Sequence, residues 1–561
     1  MIGKEKGGTR AVVKNGVPHY LGLTGDRLIF AITLTATCGF QLFGYDQGVM
    51  SGIISAPQFY RVFPDLNPEI NPSGFSTMQA FYTAIYEVGC LGGAFFALMY
   101  GNKLGRRRNI LLGGLFVVIG TLIQITTMPG HKAGHQFVIG RIVTGFGNGL
   151  NTATIPSWQA ECSKSHNRGL HICIEASMIA IGTVIAYWID FGLSFVDSSL
   201  SWRLPIGLQM IFVVFLYIGV LSLPESPRWL LSTGYEAEGE RVVAALANSP
   251  IDSEETQLDK RVILESVQSM SSGDLKPSDV LTSGPTQHLR RTLLGCSSQF
   301  FQQIGGCNAV IYFAPVIFQQ YIGLDRQLAL ILGGVNVTVY ALSALLSYPM
   351  IERVGRRPMF FWGSVGQGVS MLISSLCLIK YNVYHDQSDH IIYGAVFGLF
   401  LFLIFFGCTW LELPWLYPAE VNPLRIRTNA NAMSTMTNWS WNFAVVMWTP
   451  PMLAKLGGFG TFLFFAIINF CFCPIIYAFY PETKGRSLEE IDVFFAKAYT
   501  ERAWYVRVAE EMPRLSPSEI EAEGRKYGLG GIGFDTEKAG DNGMPTSVRS
   551  SREDEKKPDV Q

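Results

Sequence analysis

About twelve blocks of roughly 20 mostly apolar residues dominate this chain, which has 561 residues. Each block is long enough for an α-helix to cross the hydrocarbon core of a membrane, which is about 30 Å thick. Hydrophobic residues make up 48% of the chain and charged residues only 16%, less charge than soluble chains of this length usually carry. The sequence therefore predicts an all-α membrane protein with about twelve transmembrane helices.

The apolar blocks form two groups of six, separated by a polar stretch rich in Glu, Asp, Ser and Lys. This order predicts a cytosolic tail at 1–27, a six-helix bundle at 28–223, a cytosolic linker at 224–292, a second six-helix bundle at 293–480 and a cytosolic tail at 481–561. We expect short amphipathic helices in the linker and disorder from Asp541 onward. The predicted spans run roughly over 28–48, 78–100, 109–128, 134–156, 169–192, 204–223, 293–318, 327–351, 358–379, 391–417, 430–454 and 460–480.

Lysine and arginine cluster in alternate loops between the predicted spans. Such loops lie in the cytosol in most membrane proteins. The opposite loops are poor in basic residues: 49–77 contains only Arg61 and 319–326 only Arg326. Because the number of spans is even, both termini are expected on the cytosolic side.

The two halves of the chain repeat each other. The string NKLGRRRN at 102–109 matches ERVGRRPM at 352–359, and PSWQAECSKSHNR at 156–168 resembles PWLYPAEVNPLRIR at 414–427. Two six-helix halves related by an axis normal to the membrane are typical of transporters whose substrate site lies at the midplane between the halves. The repeat therefore predicts two pseudo-symmetric bundles.

The repeated motifs place acids and bases at the cytosolic ends of the predicted helices. Arginine makes forked bonds to carboxylate. We therefore expect the two arginines of the first GRR motif to meet Glu161 or the partners of Arg168, those of the second to meet Glu420, and these contacts to close the cytosolic side. Such pairs are individually weak, which suits a contact that opens in every cycle. The alternative is that these arginines only fix topology. The predicted cytosolic gate comprises Arg106, Arg107, Glu161, Arg168, Glu352, Arg356, Arg357, Glu420 and Arg427.

Amide and aromatic side chains cluster in the predicted seventh, tenth and eleventh spans. Amides match the hydroxyl groups of a sugar, and aromatic faces pack on its C–H groups. A break in the seventh helix would bring its amides together. The alternative for any single amide is a bond between packed helices. The predicted substrate-binding residues are Gln302, Gln303, Asn308, Tyr312, Trp415, Asn438 and Asn442.

Two residues of opposite charge, Asp46 and Arg141, lie inside the first and fourth predicted spans. Charged residues at such depth are usually functional. Arg141 would hold ionised Asp46, and protonation would cancel the attraction and release the first span. The alternative is a permanent salt bridge between the two helices. Glu87 and Asp190, in the second and fifth spans, are interpreted as structural.

Seven motifs along the chain resemble those of the sugar porter family of the major facilitator superfamily, over nearly all of 28–495. They are GRRRN, GRI at 140–142, PESPRWL at 224–230, QQIGGCN at 302–308, ERVGRR, LPWLYPAE at 413–420 and PETKGRSLEEID at 481–492. Further strings resemble fungal members, which include glycerol/proton symporters and hexose transporters. The resemblance implies the major facilitator fold, a fungal plasma membrane and proton coupling through Asp46 and Arg141. It also implies sugar contacts by Gln302, Gln303, Asn308, Trp415 and Asn438.

Three positions depart from the family pattern. Ala176, which follows Glu175, stands where many members have a sugar-binding Gln, so the predicted site lacks one amide. Glu412 replaces an uncharged residue, and we expect this carboxyl to be protonated, paired or in contact with water because an unpaired carboxylate is costly at that depth. Asn102 replaces an Asp, which predicts a weaker gate in the first half.

Together these features predict a secondary active transporter that imports a sugar or polyol (hexose or glycerol) by proton symport with alternating access. The expected partners are the solute, protons and the lipid bilayer, and the expected state is a monomer. The alternatives are a facilitative hexose uniporter and, less strongly, a transporter-like nutrient sensor, whose cytosolic tail is usually far longer than 481–561. No Walker loop, nucleophile elbow or metal-ligand spacing occurs, so no enzyme activity, cofactor or metal is expected. A net charge of −1 provides no basic field for nucleic acid.

Overall fold

The computed structural model describes residues 11–14, 16–130, 132–163, 168–271, 281–382, 389–423 and 425–529. In this part of the chain, ten helical stretches are long and apolar enough to cross a membrane. Gly457, with φ of 68°, divides one of them, Arg427–Phe479. Ala133–Cys162 adds another helix of membrane-spanning length, whose buried residues include the polar Arg141, Asn148 and Asn151. The described residues therefore contain the twelve helices that the sequence predicts.

The twelve helices are labelled in chain order. The first six are α1 Gly25–Ile53, α2 Phe75–Leu104, α3 Arg106–Ile125, α4 Ala133–Cys162, α5 Arg168–Leu193 and α6 Leu200–Ser222. The second six are α7 His288–Tyr321, α8 Arg326–Val354, α9 Arg356–Asn382, α10 Asp389–Val421, and α11 and α12, the parts of Arg427–Phe479 before and after Gly457.

Helix α7 is interrupted halfway, as the cluster of amides predicts. Its parts His288–Ile304 and Cys307–Val316 are separated by Gly305 and Gly306. Gly306 has φ of 97°, a left-handed conformation that a residue with a Cβ adopts at a cost. A Cβ at this position would also lie 2.7 Å from the ring of Phe465 in α12. Glycine therefore lets α7 change direction at this point.

Helix α10 is also irregular, beside the interruption of α7. Its regular part Asp389–Phe405 is followed by a wider turn at Phe406–Trp410 and by a final segment, Leu413–Val421, with Pro414 in its first turn. A proline has no N–H to donate to the preceding turn. The carbonyl of Trp410 therefore lacks its usual donor. The N–H of Trp415 donates to the carbonyl of Glu412 instead of that of Leu411, so both carbonyls are available to side chains of α7.

The two halves, α1–α6 and α7–α12, pack against each other mainly where α2 meets α11, α5 meets α8 and α1 meets α7. Close packing within a half depends on small residues. Gly44 in α1 lies directly against the backbone of Ile179 in α5, where any Cβ would clash with the carbonyl. Small residues allow such close approach of membrane helices, and this approach positions the following turn of α1.

Three short helices connect the halves: Pro227–Ser232, Glu236–Ala247 and Glu254–Ser271. An antiparallel hairpin, Val12–Lys14 with Val17–His19, docks on them, and the carbonyl of Gly16 accepts from the N–H of Ile251 at 3.3 Å. We call this end of the molecule the linker face and the opposite end the distal face.

The segment after α12 also lies at the linker face. It forms the helices Leu488–Thr500, Tyr505–Glu511 and Pro517–Lys526. Asp492 forms an ion pair at 2.5 Å with the buried Arg291 of α7, and the hydroxyl of Tyr505 donates to the carbonyl of Phe479 at 2.6 Å. Burial raises the pKa of the Asp492 carboxyl, an effect that Arg291 opposes. The disorder predicted from Asp541 onward lies outside the described residues.

Candidate substrate and proton site

A narrow cavity lies between the two halves, beside the interruptions of α7 and α10. Helix α1 contributes Phe43 and Gln47, α5 contributes Ile179, and the second half contributes the remaining wall. Amide and aromatic groups face each other across it, as expected for a site that binds a ring of hydroxyls. The second-half lining residues are Gln302, Gln303, Cys307, Asn308, Ile311, Tyr340, Phe406, Leu411, Trp415 and Asn438.

Gln302 is fixed by the irregular part of α10. Its Nε2 donates to the carbonyls of Trp410 at 2.7 Å and Leu411 at 3.1 Å. Its Oε1 accepts from the Nδ2 of Asn438 at 2.9 Å. The Oδ1 of Asn438 has no protein partner among the described residues. The sequence prediction that Gln302 and Asn438 lie together thus agrees with the geometry.

Asn308 connects Gln303 in the cavity wall to Asn442, a predicted binding residue that does not itself line the cavity. Its Nδ2 donates to the Oε1 of Gln303 and to the Oδ1 of Asn442, each at 2.6 Å. Gln303 in turn donates to Gln302 at 3.3 Å. All of these side chains are buried. Because each amide orients its neighbour, the polar groups of the wall are held in position before any ligand arrives.

Gln47 is a cavity residue that the sequence reasoning missed. It is the only amide of the first half among the lining residues of this cavity, and its Nε2 donates to the Oδ1 of Asn308 at 3.4 Å. A signal was present, since Gln47 directly follows Asp46. Consecutive helical residues point about 100° apart, so one side chain faces α4 and the other faces α7.

Tyr312 does not line the cavity, contrary to the predicted contact with substrate. Its hydroxyl donates to the Oε1 of Glu87 in α2 at 2.8 Å. This bond joins the two halves on the distal side of the cavity. The other oxygen of Glu87 has no partner among the described residues, and the side chain is fully buried. Glu87 therefore connects the halves as well as packing inside one of them.

Asp46 and Arg141 form an ion pair inside the first half. One guanidinium nitrogen of Arg141 lies 3.0 and 3.1 Å from the two carboxylate oxygens of Asp46. Another donates to the carbonyl of Thr83 at 3.2 Å, and the guanidinium lies 4.6 Å from the ring centre of Tyr86. The two side chains are 2% and 1% exposed. A buried pair of this kind is sensitive to the loss of either charge.

The predicted gate forms only in part. In the first half, Arg106 pairs with Glu161 at 2.8 Å and also donates to Asn102 at 3.1 Å. Arg107 was predicted to meet Glu161 or a partner of Arg168. Its guanidinium instead donates to the carbonyls of Val220 and Leu221 in α6. Neighbouring residues on a helix face different directions, so only one arginine of the motif can reach α4.

The second half repeats this arrangement with one more charge. Arg356 pairs with Glu420 at 2.7 Å and with Glu352 at 2.9 Å. Arg357 was also predicted to meet Glu420 and instead contacts Glu510 and the carbonyl of Tyr477. The remaining predicted gate residues are Arg427, which donates to the carbonyl of Asn422, and Arg168, which begins α5 and whose side chain lies outside the described part.

Two further acids, which the sequence reasoning did not assign to the gate, cap helices at the linker face. Glu225 accepts from the N–H groups of Arg106 at 3.2 Å and Arg107 at 3.1 Å. Glu482 accepts from those of Arg356 at 2.9 Å and Arg357 at 3.0 Å. A carboxylate at a helix N-terminus is favoured by the helix dipole. Burial raises the pKa of the Glu225 carboxyl, and its bonds to backbone N–H groups oppose this shift.

The fold and the site together define a class of protein. Two six-helix halves enclose a polar cavity between interrupted helices, and no group of His, Cys, Asp or Glu in the described ranges could hold a metal ion. This architecture is that of a major facilitator transporter, in which substrate binds between two bundles.

Comparison with known proteins identifies the family. Residues 31–495 match the family model described as "Sugar (and other) transporter". The chain is 44% identical over 508 residues to sugar transporter STL1 of Saccharomyces cerevisiae. The aligned region covers 90% of this chain and 88% of that protein. The chain is also 44% identical over 513 residues to the major facilitator superfamily transporter mfsA of Aspergillus fumigatus, covering 91% of this chain and 93% of that protein.

A solved structure supports the fold independently. The proton:xylose symporter XylE superimposes with a TM-score of 0.70 at 23% sequence identity, covering 83% of this chain and 99% of that chain. The protein therefore belongs to the sugar transporter family of the major facilitator superfamily, which is a family of membrane transporters and not of enzymes. The predicted family and fold class are confirmed.

Proposed function

We propose that this protein imports a small polyhydroxylated solute, a hexose or glycerol, together with protons across the fungal plasma membrane. It works as a monomer with the linker face and both termini in the cytosol. The observation that carries the proposal is the sequence of contacts along α1: Asp46 binds the guanidinium of Arg141, and the next residue, Gln47, binds the amide wall of the cavity. One short segment therefore contacts both the proton site and the solute site.

The solute binds in the cavity between Gln47 on one side and the amides of α7 and α11 on the other. Hydroxyl groups of the solute replace bonds that the amides now make with one another, such as that from Asn308 to Gln303. Trp415, which lines the cavity, offers its face to the C–H side of a ring. Glycerol has no ring and would depend on the amides alone.

Protonation of Asp46 drives the cycle. In the ionised state the ion pair holds α1 against α4. A proton on the carboxyl removes its charge and so weakens the attraction to Arg141. The effect is large because electrostatic interactions are strong in a buried site. Helix α1 is then free to move Gln47 onto the solute. Proton binding at Asp46 thereby favours solute binding in the cavity.

The pairs Arg106–Glu161 and Arg356–Glu420 each lie within one half. They do not cross the boundary between halves, so they act by keeping the cytosolic ends of α3 with α4 and of α9 with α10 in register. Glu225 and Glu482 extend each cluster into the following chain segment. These contacts thus hold the paired helices of each half together at their cytosolic ends when the site changes sides.

The test is the external pH during addition of glycerol, glucose, xylose and lactose, one at a time, to de-energised cells that express the protein in a transport-null host. Alkalinisation with one solute identifies both the symport and the substrate. Uptake of labelled solute without alkalinisation indicates a facilitative uniporter, and the Asp46–Arg141 pair then has only a structural role. If no solute is taken up, the proposal of a hexose or glycerol substrate is wrong.

A further inference from the structure

A second carboxyl joins the two halves on the linker-face side of the cavity. Glu412 in α10 is fully buried, and its Oε1 accepts from the hydroxyl of Ser177 in α5 at 3.0 Å. The other oxygen, Oε2, has no hydrogen-bond partner among the described residues. Leu411 and Trp415, on either side of Glu412 in the chain, line the cavity. Glu412 is therefore adjacent to the cavity and bonded across the boundary between halves.

Among the described residues, no positively charged side chain pairs with Glu412. The titratable groups that face it are the thiol of Cys173 from α5, the hydroxyls of Tyr340 and Tyr348 from α8, and the thiol of Cys408 from its own helix. No Lys, Arg or His of the described residues pairs with it, whereas Asp46 has Arg141. An isolated buried charge is far more costly than one bond to a hydroxyl can offset.

We propose that Glu412 is a second proton-binding site of the transport cycle, which carries its proton while α10 and α5 are closed and releases it when the cytosolic side opens. The Glu412 carboxyl has a different environment in each of the two states. In the closed state the carboxyl lies between helices with one hydroxyl partner. When α5 and α10 separate, water enters, and the ionised form is no longer penalised. The inference rests on the proposed orientation, which places this contact towards the cytosol.

The consequence is a cytosolic opening that depends on pH. A neutral cytosol draws the proton from Glu412 in the open state and so favours opening, while an acidic cytosol favours the closed contact. A single proton changes the ratio of open to closed protein by at most about tenfold per pH unit. Glutamine at this position cannot ionise, so the closed contact between α5 and α10 should be equally favoured at every pH.

Cys173 provides a natural reporter of this opening, because its side chain is 3% exposed and lies one helical turn before Ser177, the partner of Glu412. The experiment measures the rate at which N-ethylmaleimide modifies Cys173 in the full-length protein in nanodiscs, by peptide mass spectrometry, from pH 5.5 to 8.5. Each wild-type rate is divided by that of Glu412→Gln at the same pH, which cancels the ordinary pH dependence of thiol reactivity. An ionised Glu412 would by itself disfavour the neighbouring thiolate, so a rising ratio reports opening.

The expected result is a ratio that rises severalfold with pH, together with faster labelling of Ser177→Ala than of wild type at pH 5.5. The control variant Glu254→Gln removes an exposed carboxyl at the linker face, and its labelling rates should follow those of the wild type. A ratio that stays constant with pH, or a Ser177→Ala rate equal to wild type, would overturn the proposal. The measurement uses neither solute nor proton gradient, so its failure is distinguishable from a failure of symport through Asp46.

Discussion

The Nε2 of Gln47 in the first half lies 3.4 Å from the Oδ1 of Asn308 in the second half, inside the cavity. Asn308 in turn donates to Gln303 and Asn442. Because Asp46 precedes Gln47 in the same turn of α1, any movement that follows the loss of the ion pair with Arg141 is transmitted directly to this network. In the proposed mechanism, the position of this amide couples the proton site to the solute site.

Replacing Gln47 with leucine should raise the KM for the transported solute and lower the number of protons taken up per solute. Leucine keeps the volume of the side chain and removes its hydrogen bonds. The measurement is solute uptake and external alkalinisation in the same cells. Gln41→Leu, an equivalent change two turns earlier in α1 at a residue that does not line the cavity, serves as the control, and equal behaviour of the two variants would remove Gln47 from the coupling.

Gln303→Ala should raise the KM about 5- to 150-fold. The loss of one bond leaves a polar partner unmatched, which costs about 1–3 kcal/mol. Uptake kinetics of the labelled solute measure the effect. Gln209→Ala removes a buried amide of α6 that lies outside the cavity lining, and its KM should stay near the wild-type value. Wild-type kinetics in Gln303→Ala would exclude this side chain from the binding site.

Gly355→Ala should destabilise the linker-face end of α9. Gly355 has φ of 106°, and a Cβ there would lie 2.7 Å from the carboxylate of Glu482. With ψ of 165°, this backbone conformation is essentially restricted to glycine and costs a residue with a Cβ about 1–3 kcal/mol. We expect a lower Tm and slower transport, measured by thermal unfolding and initial uptake rates. Gly192→Ala, where a Cβ meets no atom within 4 Å, should behave as wild type, and the account fails if Gly355→Ala does so too.

Asp492→Ala should release the helix Leu488–Thr500 from α7. The change leaves Arg291, which is fully buried, without its carboxylate, and breaking a buried pair costs about 3–5 kcal/mol. Limited proteolysis should cut the tail sooner in this variant. The control is Glu511→Ala, which removes the exposed partner of Arg507 in the same tail. If both variants are cut at the wild-type rate, the ion pair does not hold the tail.

The sequence predicts the membrane helices well because their signal is simply length and apolar content. The predicted span 293–318, for example, corresponds to His288–Tyr321. The folded tail was not predicted, since its helices are polar and amphipathic and gain stability from contacts such as Trp504 with the carbonyl of Ala478. Such contacts involve residues that only the folded bundle brings together.

The candidate site could be predicted where residue chemistry alone indicates it, as for Gln302, Gln303 and Asn308 next to a pair of glycines. The direction in which a helical side chain points was harder to predict. Tyr312 faces Glu87, whereas Arg107 and Arg357 contact carbonyl groups of neighbouring segments and do not pair with Glu161 or Glu420. A step of one residue rotates a side chain by about 100°, and the sequence does not show which direction faces the neighbouring helix.

The most direct test of coupling is the accumulation ratio of labelled solute, inside to outside, in cells that maintain a proton gradient and express wild type or Asp46→Asn. Asparagine keeps the size of the side chain and cannot exchange a proton. We predict that the wild type accumulates solute above the external concentration, and that Asp46→Asn only equilibrates it while still exchanging labelled for unlabelled solute. Uphill accumulation by Asp46→Asn equal to that of the wild type would contradict the account.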